Sequence, residues 1–405
     1  MRQRGTRHNR RRLVVIAAAV AALGSACSSN TSVSQPTTPA PATSTPSTSP
    51  SPSPPPPCAD RVLARMSLSQ RVGQLFFLGL AHDQLGPAEV DAIRSDHFGS
   101  VTFIETTTEG VDGVRAVTDA VKAQVSKEAT RGVGFFIAAN QEGGEIQALR
   151  GAGFSTIPSA AQQGAMDPAT LRSDAGAWGR ELAAAGVNMN FAPVLDVLPP
   201  GSDSQNQPIG VLHRGYGHDP DTVTAHAFAF MKGMRAAGVA PVGKHFPGLG
   251  RVRGNTDFVS NVVDDVTTAT DPYLDSFRQA VHRRLPFVMV ALATYTRIDP
   301  HHLAVFSPTI MRLLRNDLGF HGVIVSDDMG AATAVANVPA DQRGVEFISA
   351  GGDMIISKTL APAEAMDEGV LARAGSDPAF RARVDAAALA VLEAKDTFGL
   401  LPCSG

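Results

Sequence analysis

The chain has 405 residues, with 35 Lys and Arg against 38 Asp and Glu and a formal net charge of −3. Six of the arginines (Arg2, Arg4, Arg7, Arg10, Arg11, Arg12) crowd the N-terminus, and without them 29 basic residues face 38 acidic ones, a net charge of −9. A body of that sign argues against nucleic acid as a partner.

Residues 1–26 read as a secretory signal, because the six arginines precede an apolar run from Leu13 to Leu23 that ends in Gly24, Ser25 and Ala26. The run is too short to span a bilayer stably. Cys27 then stands at the cleavage point, where a lipoprotein signal carries the cysteine that becomes acylated, although Leu23 lies four residues before it rather than the usual three. The expected outcome is export and a lipid anchor on the outer face of the cell membrane. The alternative is a plain secreted chain with an incidental cysteine.

Cys27 opens a segment, 27–57, whose residues 28–57 carry no charge and include ten prolines among mostly Ser, Thr and Ala. Such a composition cannot bury enough apolar surface to offset chain entropy. It is expected to be a disordered stalk between membrane and folded domain, or simply a disordered N-terminus. Residues 58–405 suffice for one large barrel or two medium domains, and no second linker divides them. Cys58 and Cys403 lie at its two ends; in an oxidising compartment a disulfide is expected, with two free thiols as the alternative. Neither has the local spacing of a metal site.

Within the folded part, strand-like apolar runs alternate with amphipathic segments. In chain order they are a strand over Val72–Leu80, a helix over Pro87–Ser95, a strand over Ser100–Ile104, a helix over Val111–Glu128, a strand over Val133–Ala139, a helix over Pro168–Ala185 and a strand over Met189–Val194. A helix over Pro220–Ala237, a strand over Ala240–Gly243, a helix over Tyr273–Arg283, a strand over Phe287–Ala291 and a helix over Pro308–Leu318 follow. The series ends with a strand over Val323–Ser326, a helix over Pro339–Ala350, a strand over Met354–Ser357 and a helix over Pro378–Thr397. Asp167-Pro168, Asp219-Pro220 and Ser307-Pro308 are capped helix starts. Eight strand–helix units predict an α/β fold, a single (β/α)8 barrel of the TIM type, with a doubly wound open sheet as the alternative. In both, chemistry belongs just past the carboxyl ends of the strands.

The most specific motif lies there: Val242-Gly243-Lys244-His245-Phe246-Pro247-Gly248 sets a lysine beside a histidine at a strand end, where burial is costly unless both bind something polar. Gln141-Glu142-Gly143-Gly144, Asn190-Phe191-Ala192-Pro193-Val194-Leu195-Asp196-Val197, Arg214-Gly215-Tyr216-Gly217 and Gly322-Val323-Ile324-Val325-Ser326-Asp327-Asp328-Met329 fall around it. In content and order these five runs resemble family 3 glycoside hydrolases, in particular their β-N-acetylglucosaminidase branch, over about residues 60–400.

The resemblance implies a retaining glycosidase acting on wall-derived, N-acetylglucosamine-containing saccharides, without metal or cofactor and as a monomer. It implies that Asp327 is the nucleophile, a role that needs a carboxylate ~5 Å from the general acid. It also makes Lys244, His245, Arg214 and Asn140 the sugar contacts. Read from the residues alone, Asp327 could instead pair with a lysine or cap a helix, with Asp328 the better cap, and the Lys and Arg could serve a structural ion pair.

The chain departs from the family where the acid should be. The family's loop after the Lys-His strand carries a histidine oriented by an aspartate two residues earlier; here those positions are Asp257 and Asn255. Asn140 and Glu145 replace an aspartate and an arginine, and Leu249 and Leu292 replace histidines. An amide in place of a carboxylate at 140 would weaken each sugar bond by ~1 to 2 kcal/mol. Either Asp257 is the acid, or the acid is lost and the barrel is a sugar-binding or scaffold lipoprotein. A metalloenzyme is disfavoured, since His301 and His302 are adjacent rather than spaced for one ligand face. Arg251 and Arg253 on the same loop read as solvated side chains.

Overall fold

The computed structural model describes Ser32 and residues 56–403. The signal segment, Cys27 and all of the stalk except Ser32 and residues 56–57 lie outside the described residues. Among the described residues no helix is long and apolar enough to cross a membrane.

Eight parallel strands close into a barrel in chain order: β1 (Phe76–Leu80), β2 (Ser100–Phe103), β3 (Phe136–Ala139), β4 (Met189–Asn190), β5 (Ala240–Phe246), β6 (Phe287–Val290), β7 (Val323–Asp328) and β8 (Met354–Ser357). Closure comes from β1 pairing β8 through Phe76 and Ile355 and pairing β2 through Phe77 and Ser100. That excludes the open doubly wound sheet. Strands covered on both faces need no polar alternation, and β1, β2, β3 and β6 are buried at every residue.

The capped helix starts do the work their chemistry suggests. Asp167 accepts from the backbone N–H of Ala169 and Thr170 at the start of α3 (Pro168–Ala184), and Asp219 from that of Thr222 at the start of α4 (Pro220–Ala236). α1 (Pro87–Ser95), α2 (Gly110–Lys122), α5 (Asp275–His282), α6 (Pro308–Arg312) and α7 (Ala340–Ala350) account for five more of the expected helices, with α6 continuing as a π-helical turn over Leu313–Asp317.

Three expectations are corrected. The first strand begins at Phe76 and not Val72, because Ser67 and Gln70 form a reciprocal capping box that starts a helix over Leu68–Gly73. The helix after β2 stops at Lys122, six residues early, and the chain turns through 126–132, where Ser126 Oγ accepts from the Ala129 N–H. A helix α8 (Leu360–Ser376), which the sequence reading lacks, precedes α9 (Pro378–Thr397). Within it Gly369 lies against α7 so closely that a Cβ would sit 1.9 Å from the Asp341 carbonyl oxygen. Cys58 and Cys403 are joined by a disulfide with Cα atoms 6.1 Å apart, beside a small apolar cluster of Ala59, Val62, Met66 and Leu401.

Candidate active site

At the carboxyl end of β5, Lys244 and His245 are both buried, at 2% and 4% exposure, and each is held by a carboxylate from another segment, Glu142 from the short strand Gln141–Gly143 and Asp196 from the loop after β4. Lys244 Nζ lies 2.6 Å from Glu142 Oε1 and donates to Asn140 Oδ1 at 2.8 Å. Arg214 grips the same Glu142 bidentately, Nε to Oε2 and Nη2 to Oε1, both at 2.8 Å. Charge-assisted bonds of this kind are among the strongest a protein makes. Burial alone would raise the Glu142 carboxyl, yet the Arg214 guanidinium and the Lys244 ammonium outweigh it and hold it down at about 2. Burial pulls the Lys244 ammonium below its ordinary value, Glu142 opposing and Arg214 reinforcing that shift.

His245 belongs to a second pair. Its Nδ1 lies 2.7 Å from Asp196 Oδ2, and Asp196 Oδ1 accepts from the backbone N–H of His245 and Leu249. Its Nε2 faces Arg214 Nη2 at 3.4 Å. Since a guanidinium only donates, this pattern fits the tautomer with the proton on Nδ1 and the lone pair of Nε2 toward Arg214. The Lys244–His245 peptide bond is cis.

Asp327 stands half-buried at the end of β7, its Oδ1 accepting from the Asp328 N–H. Arg214 and Lys244 both feel its charge. Asp328 turns inward and caps the following turn, accepting from Gly330 and Ala331 and from the Lys358 backbone N–H; burial raises its carboxyl. It is therefore the structural member of the pair.

The loop carrying Asp257 is anchored at both ends of the residue. Asn255 Oδ1 accepts from the Asp257 N–H, and the Asp257 carbonyl oxygen accepts from the backbone N–H and hydroxyl of Thr333 in the segment after β7. Lys358, just past β8, completes the surroundings. Burial pulls its ammonium down, but the carboxylates of Asp257, Asp328 and Asp327 prevail and raise it.

Asn140, Arg214, Lys244, His245, Asp257 and Asp327 line one cavity of about 420 Å³ at the carboxyl ends of the strands. The structure thus brings all six expected site residues together, while Cys58 and Cys403 stand apart from them in the small cluster by the chain ends. Glu142 and Asp196 were visible within the quoted runs but without a role; they are the counterions on which Lys244, Arg214 and His245 depend. Lys358 carries no sequence signal. Arg251 is corrected: it is no solvated side chain, since its guanidinium bonds Asp271 at 2.6 Å and Thr267 at 2.9 Å and covers the Tyr273 ring. Among the described residues no group of three or more His, Cys, Asp or Glu side chains stands close enough to hold a metal ion.

A model of the glycosyl hydrolase family 3 N terminal domain matches residues 67–393. A β-hexosaminidase from Alkalilimnicola ehrlichii is 33% identical over 288 residues, covering 69% of this chain and 79% of its own. One from Vibrio cholerae is 34% identical over 236 residues, 57% of this chain and 68% of its own. The crystal structure of a β-N-acetylhexosaminidase from Beutenbergia cavernae superimposes with a TM-score of 0.80 at 48% identity, covering 82% of this chain and 98% of that one.

Proposed function

We propose that this chain, which belongs to glycosyl hydrolase family 3, is an exported, monomeric lipoprotein that removes β-linked N-acetylglucosamine from wall-derived saccharides by a retaining double displacement. That it is a glycosidase acting on O-glycosyl bonds follows from the family and its hexosaminidase relatives. The observation that carries the finer reading is the set of residues around one cavity: a half-buried carboxylate, Asp327, shares it with Lys244, Arg214 and His245, whose charges and orientation are already fixed by Glu142 and Asp196. Such a wall can hold ring hydroxyls without reorganising as charge develops on the sugar.

In the first step an Asp327 oxygen attacks the anomeric carbon as the glycosidic bond breaks, and the departing oxygen takes a proton from Asp257. In the second, water attacks the glycosyl ester, Asp257 receives the water's proton, and Asp327 leaves as carboxylate. Lys244, Arg214 and Asn140 would hold hydroxyls, and the signal segment with Cys27 would place the enzyme on the outer face of the cell membrane.

One observation favours the second reading, an impaired sugar-binding lipoprotein: Asn255, at the place of the family's orienting aspartate, gives its Oδ1 to the backbone N–H of Asp257 at 3.0 Å. An amide oxygen engaged by the backbone does not orient the carboxyl that the first step needs as acid. Hydrolysis of a chromogenic N-acetylglucosaminide with a good leaving group separates the two. Turnover abolished in Asp327→Ala, with a further ~10²-fold or greater loss on natural disaccharides in Asp257→Ala, supports the enzyme. Turnover equal to the Asp327→Ala background, with sugar binding intact, overturns it.

A further inference from the structure

Phe258 follows Asp257 directly, lines the same cavity, and is 77% exposed, more than any other large hydrophobic side chain among the described residues. No neighbouring ring stacks on it and it joins no core cluster. Its exposure is not that of a loose loop. The Phe258 N–H donates to the Asn255 carbonyl at 3.0 Å, Ala334 N–H to the Thr256 carbonyl at 3.1 Å, and Thr333 N–H to the Asp257 carbonyl at 3.2 Å. An aromatic ring is thus carried on hydrogen-bonded backbone at the rim of the cavity, with most of its surface open.

We infer that Phe258 is the platform on which the leaving-group sugar stacks. The inference rests on the hydrolase reading, in which the departing oxygen lies beside Asp257; the sugar bearing that oxygen must then pass next to residue 258. A hexopyranose has one apolar C–H face, and an aromatic face is its natural complement, since stacking covers both without stranding a hydroxyl. The polar wall holds the sugar that is cleaved, and the ring holds the sugar that leaves. The chain therefore prefers substrates whose leaving group is itself a pyranose over small aglycones.

The test is the ratio of kcat/KM for the disaccharide N,N′-diacetylchitobiose to that for N-acetyl-β-glucosaminyl fluoride, whose leaving group has no ring. In Phe258→Ala this ratio falls about tenfold, the effect of leaving on the order of 50 Å² of apolar surface in water. Phe258→Trp restores it. A ratio unchanged by Phe258→Ala, or not restored by Trp, overturns the platform. If the fluoride is not hydrolysed at all, it is the hydrolase reading that fails. The platform is then decided by calorimetry: an affinity for the disaccharide that drops about tenfold in Phe258→Ala, relative to that for N-acetylglucosamine, supports it, and the absence of that difference overturns it.

Discussion

Replacing Glu142 by Gln isolates the ion cluster beneath the cavity. The change keeps the side-chain shape but removes the one negative charge between Lys244 Nζ at 2.6 Å and the Arg214 fork at 2.8 Å, at a position 3% exposed. Removing one partner of a buried charge group strands the other, and costs ~3 to 5 kcal/mol. Spread over the unfolding entropy of a domain this size, that lowers the melting temperature by about 4 to 7 °C. Differential scanning calorimetry and urea titration of both proteins measure it. Two features mark the cause. The gap persists in 1 M salt, since a dry pair is little screened. It also narrows as pH falls: the Glu142 carboxyl is held at about 2 against an ordinary 4.5, so its stabilisation is complete above 4.5 and is lost through about 2. A loss under ~1 kcal/mol, or one that salt removes, refutes the reasoning.

Asp367 offers a pH test of opposite sign. Burial first, then the carboxylates of Asp96 and Glu368, push its carboxyl up to about 8, and its Oδ1 has no hydrogen-bond partner. The folded state then holds a proton that the unfolded state releases near 3.8. Stability is therefore expected to fall between pH 4 and 8, by up to ~1.4 kcal/mol per pH unit. Asp367→Asn should flatten that slope in urea titrations and leave the variant the more stable protein at pH 8; parallel curves would refute the assignment. For the anchor, Cys27→Ala is expected to move the protein from the membrane fraction to the medium, and retention on the membrane would remove Cys27 from the argument.

Much of the barrel is legible because most strands are short, mainly apolar runs and several of the helices between them open on a capping residue, and both signals are local. The misses have local causes too. Val72 looks like the start of β1 until the Ser67–Gln70 capping box is given weight. α8 is hidden because glycine can mean either a break or a close approach, and only the position of Asp341 against Gly369 decides. At the site, five motifs bring the right strand ends to notice, but the assignment of Glu142 and Asp196 as counterions needs distances between residues 72 and 49 positions apart. Lys358, which shares the cavity with Asp257 from about a hundred residues away, has no motif to reveal it.

The departures from the family pattern also sort physically. Position 249 serves Asp196 through its backbone N–H, which a leucine supplies as well as a histidine. Asn140 accepts from Lys244 Nζ through an amide oxygen that brings no charge. That loss bears on the charges around the cavity: Lys244 and Arg214 bring two positive charges, Glu142 returns one negative, and the carboxylate of Asp196, beside the neutral His245, acts on Arg214 as well. Beside Glu142, the negative charge that both cations feel is Asp327. The residue proposed as nucleophile is then also a counterion of Lys244 and Arg214. In the proposed mechanism, forming the glycosyl ester would take that negative charge away from both cations, and its loss would favour return of the carboxylate, the second half of the reaction.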